Sequence, residues 1–312
     1  MHAVTIVDGA LEWREHPDPA PGTGELLVAV RAAGINGADL IQRAGFYPAP
    51  PGSPQDIPGL ELAGEVVAIG DNVHRFREGD RVMAVVGGGG QAELAVVHER
   101  TAIPVPATTE WPEAGGFPEV FTTAHDALFT QCELTLGERV CVHGAAGGVG
   151  IAGVQLAVAA GASVVATVRH DDLHSAVAAF GAEVVRPDDF ATQGPYDVIL
   201  ELVGAPNIAT DVESLNTGGR IAVIGVGGGV MAELNLHALM SKRARIHGST
   251  LRVRPLEQKA IAAQLVEAQV IPLLERGEVR VPIAATYPMA EATAAYDHFA
   301  AGGKLGKIVL VT

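Results

Sequence analysis

Eight consecutive residues near the middle of the chain carry the clearest chemical signal. His143-Gly144-Ala145-Ala146-Gly147-Gly148-Val149-Gly150 ends one apolar run, Val140 to His143, and opens another that reaches Ala160. A turn of small residues between a strand and a helix lets the backbone approach an anion closely. The unpaired N–H groups of the first helical turn and the positive end of the helix dipole then face it. The pyrophosphate of a dinucleotide needs this arrangement, which makes Ala146, Gly147, Gly148, Val149 and Gly150 candidate cofactor contacts. The spacing departs from strict GxGxxG, so the strand–turn–helix context gives the motif its weight. A tight structural turn with close helix packing is the alternative.

About 20 residues past such a turn, the tip of the second strand selects the cofactor, with an acid for NAD or a basic residue for NADP. Here the tip reads Ala166-Thr167-Val168-Arg169-His170 and carries no acid. The planar fork of Arg169 suits a 2′-phosphate. Asp171 and Asp172 follow directly and would meet the ribose hydroxyls of NAD if the turn folded differently. Gly225 closes a later strand, Arg220 to Gly225, and Gly227-Gly228-Gly229 follow it. Loops at the carboxyl ends of parallel strands border ligands, so Gly225 joins the candidate cofactor set.

These residues need elements to hold them. At 312 residues the chain is long enough for two domains. Residues 1 to about 110 read as short strands broken by turns: Leu26 to Ala33, Glu65 to Ile69, Arg81 to Val86 and Ala92 to Val97, with Gly87 to Gly90 as a turn. That rhythm suggests a β barrel or sandwich. After about residue 112 a helix, Val120 to Leu128, introduces alternating strands and helices. The strands are Arg139 to His143, Ser163 to Val168, Tyr196 to Leu202 and Arg220 to Gly225; the helices are Val149 to Ala160 and Leu173 to Phe180. Alternation implies a parallel sheet covered on both faces. Glu257 to Arg276 reads as one long helix interrupted or kinked at Pro272, and the last thirty or so residues read as strands that rejoin the first domain.

Composition removes other classes. Hydrophobic residues at 48% and charged residues at 18% exclude disorder. Lys plus Arg is 21 against 36 for Asp plus Glu, a net charge of -15 that argues against coating nucleic acid. Only Lys242, Arg243 and Arg245 form a compact basic run. Ala145 to Val168 is uncharged and long enough for a membrane helix, but five glycines and Gln155 interrupt it. Cys132 and Cys141 read as inert, reduced thiols of a cytoplasmic protein, and the N-terminus lacks the pattern of a signal peptide. His125, His143 and His298 are too scattered for a metal cluster and read as packing or surface.

Several segments in order resemble one family. They are Gly34-Ile35-Asn36-Gly37-Ala38-Asp39, Arg43-Ala44-Gly45-Phe46-Tyr47, Pro58-Gly59-Leu60-Glu61-Leu62-Ala63-Gly64, Gly79-Asp80-Arg81-Val82 and Phe121-Thr122-Thr123-Ala124. Ala145 to Gly150, Gly248-Ser249-Thr250-Leu251-Arg252 and Gly306-Lys307-Ile308-Val309 complete the set. The chain resembles the zinc-independent quinone oxidoreductases, zeta-crystallin-like, of the medium-chain dehydrogenase/reductase superfamily. The resemblance implies an α/β chain with a GroES-like β-rich catalytic domain (1–118, rejoined by 278–312) and a Rossmann NAD(P)-binding domain (119–277). It implies catalytic positions at Asn36, Tyr47 and Asp39, with Asn36 and Tyr47 donating to an acceptor carbonyl and Asp39 orienting neighbours. It places Thr123 beside the nicotinamide, and Leu251, Arg252 and Lys307 along the cofactor cleft. Turn-capping, helix-starting and packing roles for these residues remain open.

Zinc-dependent relatives carry Cys where Asn36 stands and His where Leu60 stands, and the four structural cysteines have no counterpart here. Leu60 cannot ligate, so the expected metal is none. Without a Lewis acid, reduction of an already polarised quinone or enone stays feasible while alcohol oxidation suffers. The implied activity is NADPH-dependent quinone reduction, with NADH possible. An enoyl or 2-alkenal reductase and a non-catalytic NADPH-binding protein are the alternatives. Zeta-crystallin-like enzymes hold the NADP phosphate with a Lys where Leu173 stands and a Tyr where Pro187 stands; Arg169, with Arg186, must replace them. Expected partners are a small-molecule acceptor and a second copy of the chain paired through Arg245 to Thr250, with no membrane and no nucleic acid.

Overall fold

Gly- and Pro-punctuated apolar runs at the N-terminal end become short strands, and the alternating pattern beyond them becomes a parallel sheet. The computed structural model describes residues 1–312. The chain divides into two units. One comprises Met1–Glu119, Leu251–Gly302 and Lys307–Thr312; the other comprises Val120–Thr250 and Gly303–Gly306.

The first seven strands are β1 (His2–Val7), β2 (Ala10–Glu15), β3 (Glu25–Gly34), β4 (Glu61–Ile69), β5 (Arg81–Val85), β6 (Leu94–His98) and β7 (Ala102–Pro104). Helix α1 (Gly37–Arg43) follows β3, and α2 (Trp111–Gly116) and α3 (Pro118–His125) follow β7. The second unit holds β8 (Arg139–Val142), α4 (Gly148–Ala159), β9 (Ser163–Thr167), α5 (His174–Ala178), β10 (Glu183–Val185), β11 (Tyr196–Glu201), α6 (Ala205–Glu213), β12 (Leu215–Val223), α7 (Leu236–Lys242) and β13 (Arg245–Gly248). The chain then returns to the first unit with α8 (Leu256–Gln269), α9 (Ile271–Glu275), β14 (Ile283–Pro288), α10 (Ala292–Ala301) and β15 (Lys307–Val311).

In the first unit β3 is the spine. One edge pairs with β4; along the other, Glu25 to Ala29 pair with β6 and Ala32 to Gly34 with β15. Register shifts at Leu27/Val28 and Val30/Ala32 bend the pairing with β4, as bulges do. Inward residues of β3 to β6 and β15, among them Leu26, Val28, Leu62, Val82, Val97 and Leu310, form one core. The sheet order is β14-β15-β3-β4-β5-β7, and β1 and β2 form a separate hairpin.

In the second unit all six strands are parallel, ordered β10-β9-β8-β11-β12-β13. This is the doubly wound order, whose direction of winding reverses between β8 and β11; ligands bind at the carboxyl ends of the strands there. The stretch that is long and uncharged in sequence folds as the glycine turn, α4 and β9. No helix of the chain is long and apolar enough to cross a membrane.

Two sequence expectations, the domain boundary and the tail, need correction, and two helices gain detail. The first unit resumes at Leu251, not 278, because the helix that alternation assigned to the parallel sheet packs on β7 instead. Arg75–Glu267 (2.6 Å) and Arg100–Glu257 (2.5 Å) ion pairs anchor it there. The expected interruption of the helix from Glu257 to Arg276 falls at Val270, just before Pro272, which sits at the start of α9, where its missing N–H is tolerated. The expected helix Val120 to Leu128 is α3 continued by a π-helical segment, Asp126–Gln131. The tail is not all strand: α10 lies between β14 and β15, its buried Ala292, Ala295 and Tyr296 turned into the barrel core.

Candidate functional site

The glycine turn is built as its chemistry requires. Gly144 adopts φ +62°, a left-handed conformation open to glycine, immediately after β8 and His143. Helix α4 starts behind Gly147 with no capping side chain and no acid in its first turn. Its N–H groups and dipole are therefore not already answered by a carboxylate. A Cβ on Gly150 would lie 2.6 Å from Ala145 Cα and from the Gly144 carbonyl oxygen, so only glycine lets the helix start this close to the turn. A Cβ on Gly153 would lie 2.6 Å from Leu200 Cδ2, which sets α4 tightly on the sheet. The Ala146 carbonyl accepts the Gly306 N–H at 3.1 Å.

Arg169 is exposed at the tip of β9. Asp171, the rival acid, is engaged: Arg186 Nη1 donates to it at 2.5 Å and His174 Nε2 lies 3.6 Å away. In this structure Arg186 is thus turned to Asp171. Gly225 lies where a Cβ would meet the Leu202 carbonyl oxygen at 2.3 Å, so the loops after β11 and β12 run in close contact. Thr123 is buried on α3. Ala146, Gly148 and Val149 are partly exposed and Gly147 is exposed, so the turn is open to solvent.

The first unit brings Asn36, Asp39 and Lys307 together around a residue that sequence reasoning missed, Glu61. Lys307 Nζ lies 2.6 Å from Glu61 Oε1 and donates to Asn36 Oδ1 (2.7 Å) and the Ile35 carbonyl (2.8 Å). Asn36 Nδ2 donates to Glu61 Oε1 at 2.9 Å and to the Gly34 carbonyl at 3.4 Å. The Glu119 N–H donates to Glu61 Oε2 at 2.8 Å. Glu61 is fully buried and Lys307 is 2% exposed. Both amide hydrogens of Asn36 and the ammonium of Lys307 are thus committed to protein groups. Gly34 makes room for the pair, since a Cβ there would lie 2.3 Å from Glu61 Oε1.

Asp39 sits at the start of α1 and accepts from the Asn36 N–H (2.8 Å) and the Gly59 N–H (3.2 Å). Burial pushes its carboxyl up to about 6, against the opposing pull of those N–H groups and Lys307. It orients the chain around Asn36, as its sequence position suggests. Tyr47 is half-buried, and the Arg252 guanidinium lies 4.9 Å from its ring centre. Arg252, only 4% exposed, donates to the Tyr47 carbonyl (2.9 Å), the Gly87 carbonyl (2.8 Å) and Gln42 Oε1 (2.5 Å). It locks the Tyr47 loop to the glycine-rich turn after β5. Leu251 beside it is buried. A cavity of about 500 Å³ opens in this unit between Pro51–Pro54, Gly87–Gly89 and Lys259. That volume is in the range of small-molecule sites.

Zinc does not fit the positions where zinc-dependent relatives hold it. Leu60 offers no donor atom, and the Asn36 amide is saturated by Lys307, Glu61 and Gly34. The chain's grouping of three ligating side chains is elsewhere: His143, Glu201 and Asp211, in the second unit. Cys132 and Cys141 are buried and free, and burial pushes the Cys132 thiol up to about 12 and that of Cys141 well above its ordinary value. Neither is a nucleophile in this state.

Comparison with known proteins agrees with this architecture. Residues 22–107 match the alcohol dehydrogenase GroES-like domain and residues 175–310 match the zinc-binding dehydrogenase family. A quinone oxidoreductase of Rattus norvegicus is 32% identical over 305 residues, covering 94% of this chain and 91% of that one. The chain belongs to the medium-chain dehydrogenase/reductase family. Another member, a quinone oxidoreductase of Pseudomonas aeruginosa, is 32% identical over 316 residues, covering 96% and 95% of the two chains. A mycobacterial protein solved in complex with NADPH superposes with a TM-score of 0.89 at 25% identity, over 100% of both chains. As a medium-chain dehydrogenase/reductase the protein is an oxidoreductase with an NAD(P)-binding fold acting on a small molecule. Glu61 and Lys307 lie within the family segments read from sequence, but only the folded chain shows that they pair.

Proposed function

We propose that the protein reduces quinones or similarly conjugated carbonyls with NADPH, NADH being the poorer donor, and does so without zinc. The observation that carries this reading is the dinucleotide end of the second unit. An uncapped, acid-free α4 N-terminus stands beside a strand tip where Arg169 is exposed and Asp171 is occupied by Arg186. Those residues fit a 2′-phosphorylated dinucleotide better than an unphosphorylated one.

When bound, the nicotinamide supplies the hydride. The chain supplies position and electrostatics. The first N–H groups of α4 hold the pyrophosphate, and Arg169 holds the 2′-phosphate. Thr123 and Gly225 border the nicotinamide end. The Tyr47 hydroxyl donates a hydrogen bond, and then a proton, to the acceptor oxygen as negative charge develops there. Arg252 keeps that tyrosine in place through its carbonyl and ring. Asn36 acts at one remove: held by Lys307 and Glu61, it fixes the β3–α1 corner. Asp39 fixes the same corner from the helix side and does no proton chemistry.

The partner is a second copy of this chain, paired across β13. That strand ends the sheet, and Ile246 on it is exposed together with Val230, Met231, Leu236 and Met240 of the preceding segment. Nucleic acid is disfavoured by the net charge of -15, and in the short basic run Lys242 donates to the Leu215 carbonyl while Arg245 pairs with Glu133. Two buried free thiols suit the cytoplasm. The test compares an ortho-quinone with a 2-alkenal in wild type and Tyr47→Phe, with and without chelator. Quinone turnover that falls about 10²-fold in Tyr47→Phe and ignores chelator supports the reading. Turnover of the alkenal alone moves the assignment to an enoyl-type reductase, and loss of activity with chelator refutes zinc independence.

A further inference from the structure

The cavity of about 500 Å³ in the first unit takes no part in the reaction above, and every residue that lines it belongs to that unit. Val85, Val86, Leu94 and Leu256 give it apolar walls, and the Pro51–Pro54 loop and the Gly87–Gly89 turn complete them. The loop and the turn are in packed contact. A Cβ on Gly87 would lie 2.2 Å from Ser53 Oγ, and one on Gly88 would lie 3.0 Å from the Pro54 carbonyl oxygen. Arg252 fastens the turn through the Gly87 carbonyl at 2.8 Å. A wall held in this way exists before any ligand arrives, as in most small-molecule sites.

The charges around this cavity are unbalanced in a way the rest of the chain is not. The lining holds one lysine, Lys259, and one carboxylate, Glu25. Glu25 accepts the Gly22 N–H at 2.8 Å and does not act on Lys259. Lys259 is half-buried near the start of α8, and its ammonium has neither a hydrogen-bond nor an ion-pair partner. Burial and the positive charge of Arg252 hold it below the ordinary lysine range, and no acid pulls the other way. Arg252 is itself answered only by neutral acceptors: the Tyr47 and Gly87 carbonyls and Gln42 Oε1. Elsewhere on α8 the pairing is complete, Glu257 with Arg100 and Glu267 with Arg75. With 36 acids for 21 lysines and arginines, carboxylates are plentiful, yet two neighbouring cations at a cavity have none. A partly desolvated ammonium without a partner is costly, and a charge-assisted bond to an anion relieves that cost.

We propose that this cavity is a binding site for a small carboxylate with an apolar body, its carboxylate on Lys259 and its hydrocarbon along Val85, Val86 and Leu94. The ammonium has three donors, all available to the two carboxylate oxygens. The Arg252 charge strengthens the pull without offering a competing contact, since that guanidinium is already occupied. An exposed ion pair alone contributes little, so the apolar wall supplies the remaining affinity and selects against bare anions. The site is independent of the cofactor reading above.

The test titrates the full chain with octanoate, octan-1-ol and inorganic phosphate by calorimetry, with no dinucleotide present. Wild type binds octanoate at least about tenfold more tightly than either control, one of which lacks the charge and the other the apolar body. Lys259→Met nearly conserves side-chain length and weakens octanoate by about tenfold or more, while octan-1-ol stays within about twofold. Lys259→Arg keeps octanoate within about threefold of wild type, since the charge and donors remain. Equal octanoate affinity in wild type and Lys259→Met overturns the proposal. So does phosphate binding as tightly as octanoate, or no octanoate binding by wild type at about 3 mM. Methyl NMR locates the ligand: octanoate shifts the Val85, Val86 and Leu94 signals, and shifts confined to other methyls overturn the assignment to this cavity. Because the readouts are binding and chemical shift, failure of the quinone reductase reading leaves them unaffected.

Discussion

Replacing Lys307 by methionine removes the charge at the centre of the first unit while nearly conserving side-chain length. In the native chain Lys307 Nζ serves Glu61 Oε1, Asn36 Oδ1 and the Ile35 carbonyl at 2.6 to 2.8 Å, all out of contact with water. The variant leaves Glu61 with the Asn36 Nδ2 and Glu119 N–H donors and strips Asn36 Oδ1 and the Ile35 carbonyl of that donor. Removing one partner of a buried pair costs about 3–5 kcal/mol, because the other charge stays desolvated. At roughly 2–4 °C per kcal/mol for a chain of this size, the Tm of the first unit falls by about 10 °C. Replacing both residues, Lys307→Met with Glu61→Met, restores most of that loss, since a well-packed apolar pair is often no worse than a buried ion pair. Urea and thermal unfolding of the four proteins in a double-mutant cycle give the coupling, expected at about 2 kcal/mol or more. Moderate salt leaves it nearly unchanged, because burial shields the pair from screening. Single-variant losses below about 1 kcal/mol, the range of exposed pairs, would refute the claim that Asn36 is locked from behind by a desolvated ion pair.

Three further outcomes follow from the geometry. Asp211 is protonated more easily in the folded chain, its carboxyl at about 7, than in an unfolded one, so its contribution to stability is present below about pH 4 and is lost as pH rises through about 7. Asp211→Asn removes a fall in unfolding free energy of the order of 4 kcal/mol between those limits, visible as the difference between the two urea-midpoint profiles. Gly150→Ala drives a methyl into the Gly144 carbonyl and Ala145 Cα. We expect about 1–3 kcal/mol of destabilisation by overpacking, with dinucleotide affinity down about tenfold or more by fluorescence titration. Arg252→Met frees the Tyr47 and Gly87 carbonyls, so the KM for the acceptor rises while dinucleotide binding stays within about twofold of wild type.

The glycine turn was legible because its requirement is local. Gly150 and Gly153 are glycine for contacts within one strand–turn–helix unit, and alternation of apolar runs announces the parallel sheet. The barrel strands β3, β4, β5 and β6 were visible for the same reason. What the sequence hid depends on partners distant along the chain. Asn36 looked like a free donor until Lys307 and Glu61 arrived on either side of it. His143 looked like a core histidine without partners, because Thr167, Glu201 and Asp211 come from three other elements. Helix α8 has a helical pattern but nothing in that pattern says which sheet it covers; in the fold it buries Ala260, Ala262, Ala263 and Val266 and packs on β7, with the Arg75 and Arg100 pairs at its surface. Helix α10 escaped notice among short strand-like runs because its Ala-rich face is apolar without being bulky.

The central claim is most directly tested by following cofactor oxidation with an ortho-quinone at matched NADPH and NADH concentrations, in wild type and Arg169→Ala. The account predicts rapid NADPH oxidation and slower NADH oxidation. It predicts an NADPH KM raised about tenfold or more in Arg169→Ala, with the NADH KM unchanged, as expected for losing one charge-assisted contact to phosphate. Equal use of both cofactors, untouched by Arg169→Ala, would contradict the phosphate contact. Oxidation of neither would contradict the quinone reductase assignment itself.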